Sequence, residues 1–232
     1  MAKLRLEITK GEEIRYISHL DYASAIERAI IRAKLPAAYS EGFNPHMKIS
    51  FASALAVGVT SEAEYMDLEF KEEVDISVGV KGLAAALPNG IAVKSAVYVP
   101  GNAPALMAIV NLATYDVVVP LTETGVFAAV EESIRRFNEA QEVLHTRQTP
   151  KGRKEIEVKQ YMATPVGAIE QDKAVKLTIN IKITPTGSIK PGEILAALVS
   201  LFDLPVAKDS ALINRTGLYI ADEKNRLKPT EL

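Results

Sequence analysis

Residues 175–183 set Val175, Leu177, Ile179, Ile181 and Ile183 at every second position, with Lys176, Thr178, Asn180 and Lys182 between them. Side chains of an extended strand alternate between its two faces, so this stretch buries its apolar set cleanly only as a strand of a sheet covered on one side. The same alternation opens the chain, where Leu4, Leu6 and Ile8 oppose Lys3, Arg5 and Glu7. Between such strands the apolar spacing becomes helical. Ser18 starts a helix, with Asp21 three residues on in the capping-box position. Ala23, Ile26, Ile30 and Ala33 follow along one face until Pro36. Residues 14–17 are expected to extend or partner the first strand.

A turn at Gly42, Asn44 and Pro45 leads to an alternating strand over residues 47–51. Past Gly58 comes another strand, with Met66, Leu68 and Phe70 on one face. Asp75 or Ser77 then caps a helix through Leu87, in which Gly79 and Gly82 each cost about 1 kcal/mol relative to alanine. Residues 91–99 complete the order β-α-β-β-α-β. The order recurs beyond Pro100-Gly101-Asn102: a strand at 115–119, a helix at 124–139, a second strand beginning at 143–147, the strand at 175–183, a helix at 190–202 with Pro191 near its start, and a last strand at 211–220. The expected fold class is α+β, two tandem ferredoxin-like (β-α-β-β-α-β) domains with helices on one face of antiparallel sheets. The first domain spans 1–100, a linker 101–112, the second domain 113–222 and a tail 223–232. Only element order is duplicated, which leaves two unrelated small domains as the alternative.

The 232 residues include no cysteine, which removes disulfides, thiol nucleophiles, cysteine zinc sites and iron–sulfur ligation. The three histidines, His19, His46 and His145, are scattered, so neither a metal site nor a bound cofactor is expected. A net charge of -2 makes any anion site a local patch rather than a global basic field. The start, MAKLRLEITK, lacks the apolar core of a signal peptide, and no run approaches the roughly 18–20 apolar residues of a membrane span. A cytoplasmic, soluble protein is expected.

Strand alternation points Arg5, Glu7, Lys48, Ser50, Tyr65, Asp67 and Glu69 outward in the first domain, and Lys176, Thr178, Asn180 and Lys182 in the second. With its mixed charge and single aromatic, the first face reads as solvated or as a domain contact rather than a stacking platform. Three other segments stand out. In residues 15–21, Arg15, Tyr16, Ser18, His19 and Asp21 surround a helix start. The dipole there disfavours a protonated imidazole, and free backbone N–H groups favour phosphate or carboxylate. The plain alternative is that Ser18 and Asp21 only cap. In residues 39–48, Tyr39, Phe43, Asn44, His46 and Lys48 ride a loop whose Gly42 and Pro45 hold a special shape, either for binding or simply as a turn. By topology this loop lies at the other end of the helix from His19. In residues 145–154, Arg147, Lys151, Arg153 and Lys154 form a basic hairpin with no acid, suited to phosphate contact or merely to solvation.

RYISHLD at 15–21 and YSEGFNPHMKISF at 39–51 resemble the two signatures of the radical-SAM-linked protein family, a bacterial group. ALAVGVTSEAEYMDLEF continues the likeness to residue 70, and KGRKEIEVKQY and NRTGLY resemble its weaker C-terminal features. Met47 stands where the family pattern has proline, which loosens the turn without touching His46 or Lys48. The resemblance implies an accessory component, encoded beside or fused behind a cobalamin-binding radical-SAM protein, in a gene setting tending towards RNA processing and the ribosome. The missing cysteines agree, since the cluster must then belong to the partner. A looser likeness, of fold only, is to tandem ferredoxin-like RNA endonucleases of CRISPR systems. Their C-terminal glycine-rich stretch is absent here, where Gly217 stands alone between Thr216 and Leu218.

The expected function is therefore an accessory substrate-recognition module, RNA- or ribosome-related, acting with a separate radical-SAM protein. One alternative is a protein–protein adaptor that binds no nucleic acid. The other is a metal-independent RNA endonuclease with His19 as base, His46 as acid and Lys48 stabilising charge.

Overall fold

The computed structural model describes residues 2–149 and 152–232. The chain divides into two compact units, one made of residues up to Asn111 together with Gly217–Leu232, the other of Leu112–Thr216. Both are mixed α+β, with antiparallel strand pairs.

In the first unit the order is β1 (Ala2–Lys10), α1 (His19–Arg32), β2 (Ile49–Phe51), β3 (Val59–Phe70), α2 (Ile76–Ala86) and β4 (Val93–Val99). β1 is central: Leu6 lies opposite Met66 of β3 on one side and Ala96 of β4 on the other. β2 pairs with the outer side of β3, Ile49 opposite Leu68. Leu4, Leu6, Ile8, Met66, Leu68 and Phe70 point to one face and are buried beneath Tyr22, Ile26 and Ile30 of α1 and Leu83 of α2. The helix starts fall where the capping residues stand. The Asp21 N–H donates to Ser18 Oγ (3.1 Å), and the Val78 N–H donates to the Asp75 carboxylate (3.0 Å).

Several expectations change here. Residues 14–17 add nothing to β1; a 3-10 turn, Glu12–Ile14, leads into them. The buried Lys10 ammonium holds the bend, donating to the carbonyls of Arg15 (2.9 Å) and Ile17 (3.1 Å) across it. The outward face of this sheet is not open either, since Arg5, Glu7, Tyr65 and Asp67 are buried. Residues 101–112, expected as a linker, contain a helical turn, α3 (Leu106–Ile109), with Leu106 fully buried. Residues 223–232, expected as a tail, fold onto the same unit. Arg5 grips Asp67 through two hydrogen bonds (2.8 and 3.0 Å) and donates to the carbonyls of Pro229 (3.2 Å) and Pro104 (3.4 Å). Glu7 receives the Lys228 ammonium at 3.3 Å. Buried charges need partners, and these late segments supply them.

The second unit runs β5 (Leu112–Pro120), α4 (Phe127–Glu139), β6 (Leu144–Thr149), β7 (Gly152–Glu157), β8 (Gly167–Gln171), β9 (Ala174–Lys182), α5 (Pro191–Phe202) and the first half of β10 (Leu212–Ala221). The alternation holds along β9, where Val175, Leu177, Ile179 and Ile181 are buried, while Ile183 lies just past the strand and is half-buried. The segment beginning at 143–147 is not the second strand of this sheet. Among the described residues β6 pairs only with β7, as a separate hairpin, and β8 takes the place beside β9. A tight turn through Asp172 (φ 44°) joins β8 to β9, whereas His145, Thr146, Arg147 and Gln148 of β6 offer no apolar face to the helices.

Candidate functional site

The first candidate segment divides by burial. The Arg15 side chain is buried and pairs with Glu12 (2.8 Å), while its carbonyl accepts from Lys10 and from the Gly58 N–H (3.0 Å). Arg15 therefore ties strand, turn and the 53–58 loop together rather than reaching into solvent. Burial holds the Lys10 ammonium below its usual range; Glu64 partly offsets this and Arg15 adds to it. Ser18 is the helix cap, its hydroxyl also donating to Asp21 (2.7 Å). Tyr16 and Leu20 are instead turned outward, 76% and 77% exposed, and Val57 beside Gly58 is exposed too.

The second segment is a loop with a fastened neck. The Ser40 N–H donates to the His46 carbonyl (2.8 Å), the His46 N–H donates to Ser40 Oγ (2.9 Å), and Tyr39 bridges Met47. Gly42 holds φ 120°, a conformation side chains resist. Every residue of 41–46 is exposed, Phe43 completely so at 106%. At the neck the Lys71 ammonium stands 5.9 Å from the centre of the Tyr39 ring.

The two segments meet at Phe51. The His19 ring lies edge-on to it with centroids 5.0 Å apart, and Tyr22 approaches at 6.2 Å. Met47, Ile49 and Phe51 face the helices, so Lys48 and Ser50 project from the opposite face of the sheet. There Lys48 meets Glu69 at 3.4 Å. His19 and Lys48 thus lie on opposite sides of β2, and the set His19, His46 and Lys48 is not gathered around one reacting atom. Among the described residues no cluster of histidines and carboxylates is arranged to hold a metal ion, and no helix is long and apolar enough to cross a membrane.

The basic hairpin is also divided. Arg147 forms a two-pronged ion pair with Glu193 (2.5 and 2.6 Å) and donates to the Ser188 carbonyl (3.2 Å), so it anchors β6 to the start of α5. Burial raises the Glu193 carboxyl, but the Arg147 guanidinium and the Lys190 N–H outweigh it and leave the group below its ordinary value. Arg153 and Lys154 on β7 remain exposed, Lys154 directly opposite Arg147. Lys151 lies outside the described residues.

Sequence reasoning missed the partners: Glu193, Lys10, and the buried Arg215, which donates to the Tyr115 hydroxyl at 3.0 Å. Glu193 had a signal, being the third residue of a helix that Pro191 opens.

Fold and candidate site together define a two-unit α+β protein whose distinctive side chains lie on a helix cap, a fastened loop and an anchored hairpin. The chain belongs to the bacterial family described as "Uncharacterized protein conserved in bacteria (DUF2344)", whose model matches residues 3–191. No curated protein matches it. Among solved structures, a chain of "Crystal Structure of a Cbf5-Nop10-Gar1 Complex" is similar over 96% of this chain, at 10% identity and a TM-score of 0.53. The present chain covers 50% of that one, and the likeness is of fold alone. "Crystal Structure of an Unknown Protein from Galdieria sulphuraria" aligns over 92% of this chain and 96% of its own, at 11% identity, but its TM-score of 0.29 carries no argument.

Proposed function

We propose that the chain is a non-catalytic recognition module for RNA or an RNA-containing assembly in the bacterial cytoplasm, an accessory to a separate cobalamin-binding radical-SAM protein. The observation that carries the RNA reading is the hairpin. The Arg147–Glu193 pair fixes it to α5 while Arg153 and Lys154 stay exposed to solvent. A fixed strand bearing solvent-exposed cations suits a phosphate backbone. The radical-SAM partnership rests on the signature resemblance at 15–21 and 39–51.

Each unit is read as a ferredoxin-like fold. The order β4-β1-β3-β2 supports this in the first. In the second, β5, α4, β8, β9, α5 and β10 supply the same sequence of elements, with the β6–β7 hairpin inserted after the first helix. An adaptor role has one observation in its favour. Tyr16, Leu20 and Val57 are exposed apolar side chains near the Arg15–Gly58 hydrogen bond, a surface suited to a protein partner.

The test is retention of a transcript pool on the immobilised chain at low salt. Alanine at Arg153 and Lys154 should weaken retention and reduce the salt slope by about 0.7 for each cation removed. A wild type that retains no RNA sinks the reading. Recovered RNA should be intact; cleavage in EDTA that His19→Ala abolishes would restore the nuclease instead.

A further inference from the structure

We infer that Phe43 is a stacking residue for an unpaired nucleobase, an inference that rests on the RNA reading above. The loop is held in shape at its base although residues 41–46 are all exposed. Its neck is closed by the paired hydrogen bonds of Ser40 and His46 and the Tyr39–Met47 bridge, and Gly42 sits at φ 120°. Yet all of residues 41–46 are exposed, and the Phe43 ring at its tip is fully exposed. A loop fastened at its base and burying nothing of its own is pre-organised for something outside the chain.

The surroundings select the ligand. An aromatic anchor for a protein pocket sits at the centre of an apolar patch that keeps water out. Along the loop Phe43 is bracketed by Glu41, Gly42, Asn44, Pro45 and His46, a mostly polar setting in which Pro45 is the one apolar side chain. A protruding flat ring, flanked by an amide and an imidazole able to hydrogen-bond base edges, matches how unpaired bases are held. The neck extends the pattern, since Tyr39 is partly exposed and carries the Lys71 ammonium against its ring. The ligand class is therefore single-stranded RNA at a loop, bulge or end, read through a base rather than through phosphate alone.

The chain contains no tryptophan, so Phe43→Trp creates a single fluorescent reporter at the position in question. The exposed site makes substitutions there harmless to the core. The full chain would be titrated at low salt with unstructured oligo(U) and oligo(A). Phe43→Trp should bind about as tightly as the wild type, with its emission quenched on binding. Phe43→Ala and Phe43→Leu should both lose on the order of 10- to 100-fold in affinity, the range of one base–aromatic stack. Wild-type affinity in Phe43→Ala, or unquenched indole emission from the Phe43→Trp protein in bound complexes, overturns the stacking role and leaves RNA binding standing. Wild-type affinity in Phe43→Leu also overturns it, assigning the ring to an apolar contact. Absence of binding by the wild type removes the RNA reading and this inference together.

Discussion

The imidazole of His19 meets the ring of Phe51 edge-on, centroids 5.0 Å apart and planes 79° apart. One residue opens α1 and the other ends β2, and this contact is where the two signature segments join. The β2 strand is only three residues long, and the Phe51 ring adds a side-chain contact to its backbone ladder with β3.

Phe51→Ala should therefore destabilise the first unit by about 2 kcal/mol, less than the 3–5 of a fully buried phenylalanine because Phe51 is partly exposed. In a double-mutant cycle with His19→Ala the pair should couple by roughly 0.5–1.5 kcal/mol. Urea denaturation of the four proteins measures both.

Ser18→Ala should cost about 1 kcal/mol, because the Asp21 N–H loses its acceptor. Ser18→Asn retains a capping oxygen and should be close to neutral. If Ser18 contributed only through a bound ligand, neither variant would shift the urea midpoint of the free protein.

Asp67→Ala should be among the most damaging single changes, about 3–5 kcal/mol, since it leaves the fully buried Arg5 guanidinium without its counter-charge. Removing residues 223–232 should also destabilise the unit, by taking the Pro229 carbonyl from Arg5 and Lys228 from Glu7. Thermal melts of the two variants test the claim that this sheet face is an interior.

The Arg147–Glu193 pair makes a pH prediction. Glu193 titrates below its ordinary 4.5 in the folded state. The unfolded chain therefore binds the proton more readily, and the stabilisation is complete above about 4.5 and lost as pH falls through the lower, folded value. Glu193→Gln should cost roughly 1.5–3 kcal/mol at pH 7, as the loss of charged hydrogen bonds. The gap from wild type should close as pH falls below about 4.5. A gap that is constant from pH 7 to 3 would show that the charge on Glu193 contributes nothing.

Much of the fold was legible in local pattern. The alternation at Leu4, Leu6 and Ile8 and at Val175 to Ile181 set the strands and the buried faces, because a side-chain period of two leaves a strand little choice. Ser18 marked one helix start, and Asp75 or Ser77 the other, with Asp75 the cap in the structure, because a cap acts within one turn of the chain. The glycine and proline of the 42–45 turn were equally readable. The fate of Phe43 was not, since its full exposure depends on no other segment packing over the loop.

The amino-acid order by itself determined where the chain turns, which residues cap its helices, and which face of each strand is apolar, all of them short-range effects of backbone geometry. Only the tertiary structure decided what covers the other face. Arg5 and Glu7 look like solvent residues on an isolated strand, and became interior when residues more than two hundred positions later folded over them. The same holds for the basic hairpin, whose Arg147 reads as free until Glu193 of a different element meets it. Charges can be recognised locally, but whether one is available to a ligand depends on which distant group reaches it first, and that is settled by packing.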